Sequence, residues 1–575
     1  MQIPTTEAGA TPAGQHQLHR VLKARHLTMI ALGGAIGTGL FVASGAAIAQ
    51  AGPGGALLVY LAIGLMVYFI MTSLGELATF MPVSGSFCTY ASRYVDPGFG
   101  FALGWNFWIS WATVVAVDVV AAQLVMAYWF PDTPGWIWSV AFLALTFGLN
   151  AFSARSFGEA EYWFAIIKVV AVLCFIGVGL AMLAGIIHGG VPVGLENWKV
   201  GDAPFVGNAA TWVGVAMVVA YSFQGTELVA VAAGESENPR RNVPRAINHV
   251  FWRILLFYVL AILIIGLLLP YTDPQLLRNE VEDIAVSPFT LVFQHAGLLS
   301  AATVMNAVIL TSVLSAGNSG MYAATRMLFN MAAEGQAPAV FRYVTGKGVP
   351  LYALLATTLL ACLCLFSLVY SPKAVYIWLL NFAGMTEFIV WLSIAVSHYR
   401  FRQGYVKHGY DTADLPYKAG LFPFGPLLAF ALCLLVTLGQ NYQAFLEERI
   451  DWIGVVSTYL AIPLFLALWL GHRLLRKSRW IRYADMRFDE VERDAGRPSR
   501  LARCGGRQGL GTLETANARS RRCGLETQRA RAGKGGHHAH THTRLWRCSR
   551  AMFIPRMNPR QATDTGASRS VEVTA

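Results

Sequence analysis

The chain alternates between long apolar runs and short polar connections. Twelve runs, at about 28–50, 54–80, 100–130, 135–153, 160–187, 209–233, 248–270, 288–325, 351–371, 374–397, 423–445 and 452–472, show no polar face. About 20 apolar residues in a helix cross the ~30 Å hydrocarbon core of a bilayer, and longer runs tilt or extend past it. The pattern predicts an all-α polytopic membrane protein. A strand barrel does not fit, because its strands are short and alternate.

Charge between the runs sets the orientation. Arg20, Lys23, Arg25 and His26 precede the first run, and Arg240, Arg241 and Arg245 follow the sixth. Arg326, Arg342 and Lys347 follow the eighth, and Arg400, Arg402 and Lys407 the tenth. The intervening connections "PDTPG", "YTDPQLLRNEVEDIAV" and "LEERID" are acidic or short. The positive-inside rule then puts both termini in the cytoplasm, in agreement with an even number of spans. The first 20 residues are polar and lack the apolar core of a cleavable leader.

Composition agrees: 55% of the 575 residues are hydrophobic and 13% charged. The formal charge of +12 belongs mostly to the tail, where fourteen Lys/Arg and four Asp/Glu follow residue 500. The expected organisation is a cytoplasmic segment at 1–27, a transporter domain at 28–472, a juxtamembrane segment at 473–497 and a disordered basic tail at 498–575. A shifted reading frame would produce such a tail equally well. Cys88, Cys174, Cys362, Cys364 and Cys433 lie in or beside apolar runs and read as buried hydrophobes. Cys504, Cys523 and Cys548 have no metal-ligand spacing. No catalytic constellation or cofactor motif is visible, and nothing speaks for an enzyme or for nucleic acid. "GAIGTG" lacks the Lys-Ser/Thr of a nucleotide loop and lies inside an apolar run.

Two runs contain what a stable helix avoids. "GGAIGTGLF", Gly33 to Phe41, has four glycines in nine residues, each about 0.5–1 kcal/mol less favourable in a helix than Ala. "AYSFQGTELVAVAAGE", Ala220 to Glu235, sets Gly225 among Ser222, Gln224, Thr226 and Glu227. Within a bilayer, broken backbone persists only inside protein or beside a cavity. Paired breaks in matching halves point to a transporter's binding site. The breaks would open two inverted five-helix repeats, 28–187 and 209–397, with two further helices at 423–472. Amides of Gly37, Thr38 and Gly39 suit a carboxylate. Carbonyls near Tyr221 and Ser222 suit an ammonium. Together they suit an α-amino acid. Either glycine set alone also fits close helix packing.

Ionisable residues inside the apolar runs are functional candidates. Lys168 is a candidate proton carrier, or else snorkels to the interface. Glu227 either lines the cavity or makes a structural hydrogen bond. Asp118, Glu76, Glu235 and Arg326 are accessory or gate candidates; Glu76 and Arg326 fit a gate ion pair or solvated helix ends. Trp105, Trp108 and Trp111 recur every third residue and either wall the cavity or pack in the core.

"LGGAIGTGLF", "SLGELATFMPVSGSF", "SFQGTELVAVAAGE" and "ENPRRNVPRA" resemble the amino acid transporters of the amino acid–polyamine–organocation superfamily. "LKARHLTMIALGG", "FGFALGWN", "FPDTPGWIWS", "FGEAEYWF", "SPFTLVFQHAGLLSAA" and "LSAGNSGMYA" resemble its lysine carriers. The likeness runs from about Leu22 to Phe488. It implies the inverted-repeat fold and proton-coupled import of L-lysine across the inner membrane, with no cofactor and with room for a regulatory membrane-protein partner. It puts Lys168 where sodium-coupled relatives hold sodium. It also makes Phe107, Trp111 and Tyr221 substrate-site candidates, although Phe107 replaces an expected tyrosine and Tyr221 an expected phenylalanine. Glu227 also occurs in carriers of neutral substrates, so it does not by itself account for lysine selectivity. Another cationic amino acid, a polyamine, or a slow lysine sensor remain alternative readings.

Overall fold

In the computed structural model the described residues run from 36 to 488, less 42, 84, 153, 188–193, 233–237, 275, 277–286, 441–444, 446–449 and 451, together with residue 29. They all belong to the first of two units, Met1–Gly496, and the tail lies outside them. Their regular structure is helical throughout. That outcome follows from the solvent: in hydrocarbon, backbone N–H and C=O groups must be satisfied within each segment.

The first two predicted runs lie in α1 (Thr38–Phe41) and α2 (Ala43–Phe80). At Gly52 (φ 74, ψ 169) the helical path of α2 breaks, where the sequence separates the runs at "AGPGG". The short α3 (Ser86–Tyr94) follows, then α4 (Pro97–Met126), α5 (Gly135–Phe152) and α6 (Ala154–Leu183). The start of α4 is fixed by Asp96, whose carboxylate accepts from the Gly98 amide at 2.6 Å, and by Pro97 at the first helical position. The sixth run becomes α7 (Ala209–Tyr221) and α8 (Leu228–Ala232), and the seventh α9 (Pro239–Arg253), a π-turn and α10 (Leu260–Leu268). The run at 288–325, read as one span, is two helices, α11 (Pro288–His295) and α12 (Leu299–Ala333). Gly297, at φ +72, separates them; the apolar pattern continues through a turn that the backbone does not. The remaining helices are α13 (Leu351–Ala361), α14 (Pro372–Lys407), α15 (Phe424–Gly439), α16 (Trp452–Tyr459) and α17 (Ala461–Arg476).

Among the described residues seven helices are long and apolar enough to cross a membrane, or eight if α16 and α17, bent by 44°, form one span. Burial ranks them. In the most apolar window of α4, 89% of residues are buried, against 22% in α5, so α4 is central and α5 peripheral. It packs along α12 and α14. Leu58, Leu61 and Leu65 form an exposed stripe on α2 at helical spacing, as a lipid-facing surface requires.

The Gly52 turn is held from above. The Pro204 carbonyl accepts from the amides of Gly54 (2.9 Å) and Gly55 (3.2 Å), and the Val206 amide donates to the Ala51 carbonyl at 2.9 Å. A Cβ at Gly52 would lie 2.7 Å from the Pro204 oxygen. Gly52→Ala therefore combines a glycine-only backbone conformation, costing about 1–3 kcal/mol, with a clash. A lower thermal unfolding midpoint of the purified protein in detergent is expected, and an unchanged midpoint would contradict this reading of the turn.

Candidate functional site

Where they are described, both glycine-rich segments depart from regular helix, and they touch. Gly37 lies at a bend before α1, and the Phe41 amide reaches back to its carbonyl at 3.2 Å. Ser287 donates its hydroxyl to the Phe41 carbonyl, tying α1 to the start of α11. Gly33 and Gly34 lie outside the described residues. The second break runs from Ser222 to Glu227, between α7 and α8. There the amides of Ser222, Phe223 and Gln224 reach back only three residues, to Val219, Ala220 and Tyr221. Gly225 has φ +96, which an L side chain rarely adopts.

Gly39 sits directly on the second break. A Cβ there would lie 2.4 Å from Ser222 Cα and 2.8 Å from its amide nitrogen. The Ser222 hydroxyl also lies 3.3 Å from the Tyr60 hydroxyl of α2. Of the residues singled out for the substrate, Gly37, Gly39, Ser222, Gly225 and Glu227 are buried and Tyr221 is half-buried. Thr38 belongs to α1.

A polar cluster lies one residue away from this junction, across α12. Three consecutive residues of that helix link it. Ser315 donates to both oxygens of Glu161 at 2.9 Å. A Cβ at Gly37 would meet the Ala316 side chain at 3.3 Å, and one at Gly317 would meet Asp118 Cβ at 3.4 Å. Lys168 is fully buried and interacts electrostatically with Glu161 and Asp118. A fully buried side chain does not fit the snorkelling alternative. Sequence reasoning missed Glu161. Its seven-residue spacing from Lys168 puts both on one helical face, a signal that the stretch "FGEAEYWFAIIK" contains.

A second carboxylate was also missed. Glu387 of α14 is buried beside Glu227, within side-chain hydrogen-bonding reach of it. Gln224 Nε2 donates to Glu387 Oε2 at 3.3 Å, and the Gly225 amide donates to Glu227 Oε2 at 3.2 Å. Glu387 is an isolated carboxylate within the tenth apolar run, so the criterion that selected Lys168 applied to it as well.

Glu76 and Arg326 are not solvated helix ends, because both are buried. Glu76 takes its guanidinium partner from α14. Arg402 Nε donates to Glu76 Oε1 at 2.6 Å and its Nη2 pairs with Oε2. The Ala419 amide adds a bond of 2.7 Å, and His398 Nε2 stands 3.3 Å from Oε1. Arg326 lies 4.1 Å over the Tyr322 ring, which stacks on Phe157. Phe107 packs on Phe87 and Trp111, and Trp111 lies against Gly320 of α12. These contacts put both aromatics among α3, α4 and α12. Glu235 lies outside the described residues.

Comparison with known proteins identifies the family of this apolar helical bundle. The family described as amino acid permease matches residues 26–483. The chain belongs to this amino acid permease family. The permease is 64% identical over 476 residues to the lysine-specific permease LysP of Escherichia coli (strain K12), covering 83% of this chain and 97% of that one. It is 48% identical to the lysine-specific permease LysP of Lactococcus lactis subsp. cremoris (strain MG1363), covering 84% and 94%. It is 46% identical to the histidine permease HisP of the same organism, covering 80% and 95%. It is thus a multi-pass membrane permease.

The Glu76–Arg402 pair ties α2 to α14. Removing one partner of a buried pair typically costs about 3–5 kcal/mol, since the other charge is left uncompensated. Glu76→Gln should lower the thermal midpoint of the permease clearly, and more than Glu76→Asp. Equal midpoints for the two variants would count against the pair as an anchor.

Proposed function

We propose that the permease imports L-lysine across the cytoplasmic membrane by proton symport with alternating access. The contact of Gly39 with the Ser222 backbone carries this reading. It sets the N-terminal amides of one broken helix against the loosened turn of the other. A carboxylate at Gly37, Thr38 and Gly39 and an α-ammonium at the Tyr221–Ser222 turn would then be bound side by side. The names of the two lysine-specific relatives support lysine as the cargo. In this reading the two breaks open inverted repeats at 28–187 and 209–397, helices at 423–472 lie outside them, and both termini are cytoplasmic. Seven full-length helices with several broken or short ones fit twelve spans.

Lys168 is the proton carrier in this scheme. Its neighbours Glu161 and Asp118 adjoin Ser315 and Gly317, on either side of the Ala316 that faces Gly37. A change of charge at Lys168 is thereby transmitted to the first break through one residue of α12. Energetically, each positive charge moving inward gains about 2.3 kcal/mol per 100 mV. A proton entering with lysine roughly doubles that drive. Glu76 and Arg326 remain gate candidates, with Arg402 completing the pair at Glu76.

The test is uptake of labelled L-lysine into proteoliposomes, with pH gradient and membrane potential imposed separately. Excess arginine, ornithine, histidine and cadaverine serve as competitors. An inward proton gradient at zero potential should drive uptake that these competitors leave largely intact. Lys168→Met should abolish the response to the pH gradient. Uptake that follows potential alone in the native protein would make it a uniporter. Binding of lysine without uptake would favour a sensor.

Gly39→Ala tests the contact itself. The added methyl overlaps the Ser222 backbone, and overpacking of this kind costs about 1–3 kcal/mol. Lysine uptake should fall by about tenfold or more, with insertion and expression unchanged. Native uptake in a correctly inserted variant would overturn the proposed site.

A further inference from the structure

Glu227 and Glu387 present a local charge problem. Both are buried, at 0% and 3% exposure, and their carboxyl groups face each other within hydrogen-bonding reach. Glu227 Oε2 accepts from the Gly225 amide and, at 3.5 Å, from the Thr226 hydroxyl, Glu387 Oε2 accepts from Gln224, and the Trp391 side chain stands close to both carboxyl groups. Among the described residues, neither Oε1 has a hydrogen-bond partner. Two carboxylates this close do not both stay ionised without a positive species between them. No Lys or Arg occupies residues 220–232 or 375–399, the stretches of α7, α8 and α14 around the pair. The pair is thus open to compensation by a proton or by an incoming cationic group.

The surroundings favour an organic ammonium. A cavity bordering Glu387 is lined by Tyr221, Gln224, Gly384, Phe388 and Trp391. Its volume is about 10 Å³, room for about one water molecule, and an ammonium head is of similar size. The aromatic walls suit a cation and its alkyl stem. The Gly384 wall is open, since a Cβ there would meet only Met217, at 3.9 Å. The cavity starts at Tyr221, the residue assigned to the α-ammonium end of the substrate. A side chain leaving that point would lead its far end toward Glu387. From α15, Cys433 approaches the pair without bringing charge of either sign, its thiol donating to the Phe388 carbonyl at 3.5 Å.

We infer that Glu387, paired with Glu227, forms the subsite for the terminal ammonium of a cationic amino acid substrate. This deepens the lysine reading and rests on it. It gives selectivity a second carboxylate, which Glu227 alone does not provide.

The experiment compares binding of L-lysine and of L-norleucine, which has the same chain length without the ammonium, to purified protein in detergent. The native protein should prefer lysine strongly. Glu387→Gln should weaken lysine by about 10- to 100-fold, the effect of losing a charge-assisted hydrogen bond, and leave norleucine nearly unchanged. Glu387→Asp, which keeps the charge, should recover part of the preference and also guards against a folding defect in the first variant. An unchanged lysine-to-norleucine ratio in Glu387→Gln overturns the inference. So does a native protein that binds both alike, which leaves amino acid transport standing. A native protein that binds neither overturns the transport reading as well.

Discussion

The packing of Gly39 against the backbone of Ser222 is the constraint on which the rest of the site depends. No side chain larger than hydrogen fits between Gly39 and Ser222, where a Cβ would lie 2.4 Å from Cα. At that distance two intact helices bearing ordinary side chains could not approach each other. The glycines that weaken the first helix are therefore also what lets it reach the second. A helix break in hydrocarbon is tolerated only where the freed groups face protein or a cavity. Here the two segments shelter each other, and α2 and α12 pack against α1 and α8.

The helix α12 organises what surrounds this contact. Its Ser315, Ala316 and Gly317 touch Glu161, face Gly37 and abut Asp118 in turn. Successive residues on a helix point about 100° apart, so three neighbouring positions sample three separate directions. That geometry lets one turn of α12 adjoin the Lys168 cluster on α6, the first break on α1 and the carboxylate on α4. Small side chains suit the positions of Ala316 and Gly317, which lie against Gly37 and Asp118. A branched residue at Ala316 would press on Gly37, where the spacing to a Cβ is already 3.3 Å.

Much of this was legible in the chain itself, and what was not has identifiable causes. The apolar runs gave helices because length and all-round hydrophobicity leave few alternatives in a bilayer. Their boundaries failed where glycine turned the backbone without interrupting hydrophobicity, as at Gly297 between α11 and α12. The irregular turn at Ser222–Glu227 was visible because glycine within an apolar run is locally unfavourable. The partners of the charged residues were less visible, because they come from distant segments. Arg402 stands 326 positions from Glu76, and its basic loop reads equally well as a topology signal. Glu161 was within reach of a periodicity argument. Trp111 and Phe107 were selected by type and motif, yet their contacts lead to α3 and α12, which spacing along α4 does not reveal.

The buried carboxylates show how the fold separates anchoring from binding. Glu76 is surrounded by the Arg402 fork, the Ala419 amide and His398. Its charge is met from within the chain, and both oxygens are engaged, so its energy is lowest with α2 and α14 held together. Glu227 and Glu387 sit equally deep, but among the described residues they are met by neutral donors, the Gly225 amide, the Gln224 side-chain amide and the Thr226 hydroxyl, with the Trp391 side chain close by. In a low-dielectric interior that difference is large. A compensated carboxylate stabilises a single arrangement. An undercompensated pair instead gains energy when a cation arrives, and the gain depends on that cation's charge. Because Gln224, Gly225 and Glu227 belong to the second break itself, the gain is delivered to the segment whose conformation is least fixed by its own hydrogen bonds. In the proposed scheme, binding at one end of the substrate is thus coupled to the geometry of the turn at the other end.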